Sequence, residues 1–534
     1  MSWEKPKNSS LLSYLPVALV IVGSVLLVLL RIQLGGAHFI SDSALMMLAL
    51  ASYLTAAVFH LTNLYAPSNW AQKLGLWCAT AGVFFNLSSW GVRWVAAYDR
   101  EYAVYLQQGR LSEMGWVFRY IPFANLYDLS LAFAFGAGIT TLLIAHRKNF
   151  RFLAAITLPL AAIILLLARF IGSEFIDLPP VLDSYWRPIH VGIASLSYGV
   201  ALVCFAVAVI YLLKDGVKTE AMAIWSSIFS IAIIATISKA SVFWPSTFGT
   251  YTASTFIGDA RSPLGLRANI PYVGWVLVIA GLALAGTIVA FAIYLWRKDA
   301  TARAWGHRLL KFALVAQACA IILLATQIKS ATIIKPCAEV SQAGVACIDE
   351  RQYERFVVAE LQRAKANPEE IAALSSDELR ARGETFVQQN YSRLKMSLNA
   401  NPVEFSALIT TFAATLFVII FSFRTERLRA ALPAAEKLDS LMYKMAGVAF
   451  AGLALLLMTG AVWANESWGS YWSWDSKEVG AFVAWLTYGA FLHARIARGW
   501  HGRKSAYFAV VAFLLVIFTY LGVSYLLPGL HSYA

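Results

Sequence analysis

Charge is scarce in this chain. Asp, Glu, Lys and Arg make up only 14% of its 534 residues, against 59% hydrophobic residues. With a mean hydropathy of +0.63, that balance excludes an ordinary soluble domain. Cysteine is nearly absent too. The five cysteines include no Cys-x-x-Cys-His run, so the chain is not itself a c-type cytochrome. Cys78, Cys204 and Cys319 lie in apolar runs and read as small core residues. Cys337 and Cys347 lie in a polar segment, either as a disulfide closing a loop of about ten residues in an oxidising compartment or as two separate thiols. Short alternating strands are lacking, which excludes a membrane β-barrel. No basic cluster marks a soluble face. The net charge of +13 lies mostly in short loops, so nucleic acid is not an expected partner. The first apolar run, about 11–30, follows Lys5 and Lys7 without an evident small-residue cleavage site and reads as a span, not a removable signal.

Apolar runs of about 20 residues recur from end to end, each long enough to cross a bilayer. The expected class is an all-α, polytopic helical membrane protein with about 13 transmembrane helices. Three parts are expected. Residues 1–213 form an N-terminal bundle, 214–430 carry further spans with a soluble segment at 329–403, and 431–534 form a C-terminal core. Arg and Lys cluster in the short loops that this counting puts on one side, such as 146–151 and 424–429, as the positive-inside rule requires. The N-terminus is then cytoplasmic and the C-terminus extracytoplasmic.

Between the eleventh and twelfth runs stands Trp468-Gly-Ser-Tyr-Trp-Ser-Trp-Asp475, on the outer side by this topology. An aromatic belt at the interface explains tryptophans alone. It does not explain why two of the eight histidines, His190 and His531, fall at the same level at the ends of distant runs. Neutral imidazole is the usual axial ligand of haem iron, and flat aromatic surface suits a porphyrin, so Trp468, Trp472 and Trp474 read as a haem platform with His190 and His531 as iron ligands. Asp475 either orients a partner in that site or caps the next helix. His60 and His493 lie within apolar runs, each about a turn from the inner edge. A polar group at that depth tends to be functional, and a second, inner haem between them is the sharp reading. His146, His307 and His501 sit among Arg and Lys and read as solvated loop residues. A haem-b electron-transfer subunit competes with this reading, but it calls for paired histidines within single spans, and none is present. A transporter calls for internal repeats with broken helices, and no convincing repeat is present.

The segment from about 438 to 534 closely resembles the CcsA (ResC) family of cytochrome c biogenesis proteins. That family is part of the wider haem-handling WWD group with CcmC and CcmF. The resemblance rests on Gly460-Ala-Val-Trp-Ala-Asn-Glu466, the Trp468–Asp475 motif, Lys477-Glu478, Leu492-His493-Ala-Arg495, Gly499-Trp500 and Gly529-Leu-His531-Ser-Tyr533. Pro122-Phe-Ala-Asn125-Leu-Tyr127, Ser184-Tyr-Trp186, His190-Val191 and Ser197-Tyr198 add to it. The resemblance implies an inner-membrane protein that conveys haem b outward and presents it for attachment to the Cys-x-x-Cys-His of apocytochrome c. It further implies a CcsB/ResB-type membrane subunit and a thiol-reducing protein as partners, and a place in a haem lyase complex. Delivery of the CcmC or CcmF kind is the alternative. The outer ligands carry onto His190 and His531 and the membrane histidine onto His493. In the family the partner of that membrane histidine usually comes from the CcsB-type subunit. Arg119 and Arg187 are candidate partners for haem propionates. The chain departs from the family in three places. Ser476 replaces the proline after the aspartate, Val479-Gly480 replaces Thr-Trp, and the region from about 215 to 430 is much longer.

Overall fold

The computed structural model describes residues 14–34, 39–145, 148–173, 175, 180–237, 242–257, 264–330, 333–336, 345–348, 354, 357–358, 361, 369, 371, 373–390 and 402–523. The helices are α1 (Leu15–Gln33), α2 (Asp42–Tyr65), α3 (Asn69–Gln107), α4 (Leu126–Ala145), α5 (Ala154–Ile171), α6 (Trp186–Lys214), α7 (Thr219–Thr236), α8 (Val273–Arg297), α9 (Ala300–Ser330), α10 (Ser376–Asn390), α11 (Pro402–Ser422), α12 (Thr425–Ala431), α13 (Ala435–Trp468), α14 (Ser476–Arg498) and α15 (Arg503–Ile517). Twelve helices among the described residues are long and apolar enough to cross a membrane. The chain is a multi-pass helical membrane protein, and its membrane spans are all α-helices. The expected third span is α3. Its 39 residues are ample, but it buries Asn86, Ser88, Ser89 and Arg93 and falls short in hydropathy. Four short strands, β1 (Thr252–Ile257), β2 (Leu264–Asn269), β3 (Ile333–Pro336) and β4 (Val345–Ile348), form one sheet in the order β1-β2-β4-β3. They lie where the sequence reads as loop and polar segment. The β1–β2 and β2–β4 pairs are antiparallel, and β3–β4 is parallel.

The chain divides into two compact units, Met1–Val217 with Arg424–Ala534, and Lys218–Phe423. In the first, α2 packs on α3 and α5, α4 on α5 and α6, and α6 on α13 and α15, while α13 and α15 flank α14. Small residues let α4 and α6 meet backbone to backbone. A Cβ on Gly199 would run into the main chain of Gly136 and Ala137, the close approach by which membrane helices gain packing contact. Arg93 is 1% exposed and lies between two carboxylates. It bonds Asp128, Asp42 Oδ2 (3.2 Å) and the Ser173 carbonyl (2.7 Å), with its guanidinium over the Tyr127 ring. A charge this deep is tolerable because every side of it is paired. At the other end of the unit, Lys214 Nζ donates to the Arg429 and Leu432 carbonyls (2.7 and 3.0 Å). Arg429 returns bonds to the Leu213 and Val217 carbonyls (2.9 Å each). The ends of α6 and α12 thus cap one another.

In the second unit, α8 packs on α7 and α9, and α11 packs on α7 and α9. Val357 and Leu379 make a small separate apolar cluster with Val358, Leu361 and Leu374.

Candidate functional site

The aromatic motif is a short, pinned turn. Helix α13 runs unbroken to Trp468 because nothing before Gly469 interrupts it. Gly469 then takes the left-handed conformation, φ +74°, and its N–H closes the helix on the Asn465 carbonyl at 2.9 Å. Ser470 Oγ donates to the Trp472 carbonyl at 2.9 Å. Trp474 also lies at positive φ, +60°, which for a residue with a Cβ costs roughly 1–2 kcal/mol. The Glu478 carboxylate holds that shape by accepting the Ser473 N–H (2.8 Å), the Ser473 hydroxyl (3.0 Å) and the Asp475 N–H (3.2 Å). In return Asp475 accepts the Lys477 N–H at 3.0 Å, and the two acids form a capping box at the start of α14. Asp475 therefore caps a helix. Ser476 occupies the first helical position, where an N–H has no helical partner and serine serves as well as proline.

Beside the turn is a cavity of about 1090 Å³, its open mouth included. Its walls come from the start of α4 (Phe123 to Leu129), α6 (Arg187, His190, Val191, Ala194, Tyr198), α13 (Leu456 to Ala464), the turn (Tyr471, Trp472), α14 (Lys477, Glu478, Ala481) and Thr519 and Tyr520. Among the described residues, His190 is the only histidine in that wall. Its Nδ1 lies 3.0 Å from the Leu456 carbonyl. A carbonyl only accepts, so the ring donates from Nδ1 and carries its lone pair on Nε2, the tautomer that a metal ligand needs. The ring stands 5.6 Å from that of Trp463. Gly460 makes room for it, since a Cβ there would come within 2.7 Å of His190 Cε1. Tyr520 and Tyr198 close one side with Phe133, at ring separations of 5.2 to 6.3 Å. Thr519 and Tyr520 belong to a π-helical turn, Phe518–Gly522, a wide turn often found at functional sites. Gly480 is packed against that turn, where a Cβ would meet Thr519 Oγ1 at 2.8 Å. The glycine that departs from the family pattern thus fits the turn next to it.

Of the residues singled out from the sequence, His190 and Trp472 share this cavity. Trp468 stands beyond Trp463, at 6.5 Å between rings. Trp474 is 75% exposed and meets Trp472 edge-on at 5.8 Å. His531 lies outside the described residues, as do His38 and Cys337. His60 is 2% exposed, with its ring against Gly75 of α3, where a Cβ would fall 2.8 Å from Nε2. His493 is exposed on α14. Helix α2 packs on α3 and α5, and α14 on α13 and α15, so the main packing does not bring His60 and His493 together. Arg187 lines the cavity and donates to the Arg119 carbonyl at 3.2 Å. Arg119 instead faces Asp183, at 2.6 Å from Nη2, and that carboxylate raises its pKa. Lys477, Gly460, Trp463, Tyr198 and Tyr520 were not assigned roles from the sequence. The spacing of Gly460 and Trp463 puts them on one face of a helix, and that was the signal available for those two.

The family described as Cytochrome C assembly protein matches residues 123–259 and 403–531. Among curated relatives, the cytochrome c biogenesis protein CcsA of Prochlorococcus marinus (strain MIT 9515) is 56% identical over 98 residues, 18% of this chain and 31% of the relative. CcsA of Gloeobacter violaceus is 54% identical over 99 residues, 18% of this chain and 29% of the relative. CcsA of Microcystis aeruginosa is 54% identical over 102 residues, 19% of this chain and 31% of the relative. The alignments thus span about a third of the length of the relatives. Through residues 123–259 and 403–531 the chain belongs to the cytochrome c assembly family.

Proposed function

We propose that this protein serves cytochrome c biogenesis by binding haem b beside the Trp468–Asp475 turn and presenting it, on the outer face of a bacterial inner membrane, to the Cys-x-x-Cys-His of apocytochrome c. The observation that carries this reading is His190. It sits in a cavity wall, oriented through Nδ1 by the Leu456 carbonyl, with an indole beside it. The residues present suit haem. Trp463, Trp472, Tyr198 and Tyr520 offer aromatic surface, and Arg187 and Lys477 offer cations to the propionates. His531 is the proposed second axial ligand. His493 holds an inner haem before transfer, with its second histidine supplied by His60 or by a CcsB/ResB-type subunit.

In the attachment step each thiol adds across a haem vinyl group. The S–H bond breaks, a C–S bond forms at the carbon next to the ring, and the hydrogen goes to the terminal carbon. No net oxidation occurs, but the thiols must arrive reduced, which is the task of a thiol-reducing partner. This chain's residues hold the cargo, exclude water with indole surface and leave the vinyl edge open at the mouth. The incoming substrate histidine then replaces one of the chain's own imidazoles on the iron.

Reduced-minus-oxidised spectra of the purified protein test this. Wild type is expected to carry haem, and His190→Ala to lose at least tenfold of the outer haem, with recovery when imidazole is added. Wild type purified without haem from haem-replete cells overturns the reading. So does a His190→Ala variant with an unchanged spectrum.

A further inference from the structure

The second unit buries a different kind of chemistry. On α7, Ser226, Ser227 and Ser230 have hydroxyls shut off from solvent that make no hydrogen bond among the described residues. The same holds for Ser406 Oγ on α11 and for both amide atoms of Gln317 on α9. Ser230 is fully buried, Ser227 and Gln317 are 1% exposed and Ser406 4%. Ser227, Ser230 and Gln317 lie on the buried stripes of their helices, while Ser226 and Ser406 lie off them. The stripes run through 220, 223, 227, 230 and 234 on α7, through 310, 313, 317, 320 and 324 on α9, and through 404, 408, 411, 415 and 418 on α11. In a bilayer such groups have no lipid partner, and internal water is the usual way to satisfy them.

Both ends of the stripes carry a buried carboxylate. Glu220 is 3% exposed and accepts from Arg303 Nε at 2.6 Å, with His307 Nε2 at 3.7 Å. Glu404 is 3% exposed and accepts from the Tyr251 hydroxyl at 2.8 Å. They lie at opposite ends of the bundle. The start of α7 meets the end of α8, where Lys218 lies over Tyr294. The stretch after α7 meets the start of α8, where Phe248 packs on Trp275. Tyr251, just past that stretch, holds the start of α11. At 1.5 Å per residue, Ser227 and Ser230 stand about 10 and 15 Å from Glu220 along α7, and Gln317 about 20 Å from Arg303 along α9. On α11, Thr411 and Thr415 stand about 10 and 16 Å from Glu404.

We propose that the α7–α8–α9–α11 bundle conducts protons across the membrane through a file of water between Glu220 and Glu404. Hydroxyl, amide and water groups each accept a hydrogen bond on one side and donate on the other. One proton entering at one carboxylate therefore releases one at the other, with no redox change. The chemistry of the stripe selects the proton. Among the described residues, no carboxylate stands at mid-depth to hold a metal ion, and the groups on the stripes between the ends are neutral. The charged and titratable groups facing the path are at its ends: Glu220, Arg303, His307 and Lys218 at one, Glu404 and Tyr251 at the other. The role is separate from haem handling.

The test uses the full-length protein in liposomes with a pH dye inside and a potassium diffusion potential of either sign set by valinomycin. Wild type should acidify or alkalinise the lumen faster than empty vesicles. Gln317→Leu and Glu404→Gln should lower the rate at least tenfold at equal incorporation, and Trp225→Leu, at a position 69% exposed on α7, should match wild type. If Glu404→Gln does not incorporate, Ser227→Ala tests the same file by removing one hydroxyl with little change of shape. Wild-type vesicles no faster than empty ones overturn the proposal, as do Gln317→Leu vesicles as fast as wild type. Either result would leave the serines and Gln317 as static helix–helix contacts.

Discussion

His190 is held on two sides at once, by a carbonyl that fixes its tautomer and by a glycine that leaves room for its ring. Gly460→Ala puts a methyl group 2.7 Å from Cε1, and neither α13 nor the Trp463 ring can give way freely in a packed helix pair. The ring must rotate off the Leu456 carbonyl. The variant should lose most of its outer haem, as His190→Ala does, and reduced spectra will show it. Imidazole should discriminate the two. It can fill the space left in His190→Ala, but in Gly460→Ala the displaced ring still blocks that space and imidazole should restore little. Recovery of Gly460→Ala to the wild-type spectrum would mean that the glycine does not position His190. At this scale the sequence identified residue types well and contacts poorly. His190 and Trp472 were legible from type and level along the spans. Lys477 was not, because a lysine two residues after an N-cap looks like any helix-start residue until the cavity wall is seen.

Helix ends carry as much of the design as helix faces. The crossed caps of α6 and α12 join Lys214 and Arg429 to four carbonyls at the helix ends, where the backbone offers the Leu213 and Arg429 carbonyls only long bonds of 3.3 Å from Gly216 and Leu432. Removing the Arg429 side chain takes one bond each from the Leu213 and Val217 carbonyls and leaves Leu213 only the long Gly216 N–H bond. The cost should be about 1–3 kcal/mol for the loss of bonds from a charged donor. Arg429→Ala should therefore melt several degrees lower in detergent while keeping its haem spectrum at low temperature, since the caps lie away from the residues that line the cavity. Arg429→Lys should recover little, because one ammonium cannot reach both carbonyls in the fork that the guanidinium spans. An unchanged melting temperature in Arg429→Ala would show the caps to be redundant. Hydropathy finds helices of this kind easily, because a run of about 20 apolar residues has one stable answer in lipid. It could not find α3's full length, where charges at Asp99, Arg100 and Glu101 look like a loop and are in fact three further turns. Nor did it find the small sheet. Strands of four to six residues give too short an alternation to stand out.

At the scale of the whole chain, the family match and the compact units divide the sequence differently, and the difference can be tested. The match stops at 259 and resumes at 403, while the second unit runs from Lys218 to Phe423. Helices α7 and α11 therefore lie within the family pattern, and α8, α9, β2 to β4 and α10 lie outside it. The sequence alone put the extra region at about 215–430, because hydropathy counts spans without saying which belong to the ancestral set. Excising residues 260–402 leaves α7 packed on α11, and the Tyr251–Glu404 bond lies beside the new junction. The apolar parts of the faces uncovered on α7 and α11 would meet lipid, which costs membrane helices far less than water would, while Glu220 at the start of α7 loses Arg303 and His307 as partners. The excision removes no residue of the first unit, His190 and the cavity wall included. The shortened protein should insert, purify with its outer haem spectrum intact and respond to His190→Ala as the full chain does. It lacks Gln317 and with it the middle of the proposed water file, so proton flux in vesicles should fall to that of empty ones. Loss of haem on excision, in a variant that still inserts and remains monodisperse, would instead mean that α8, α9 or the sheet supports the haem site directly.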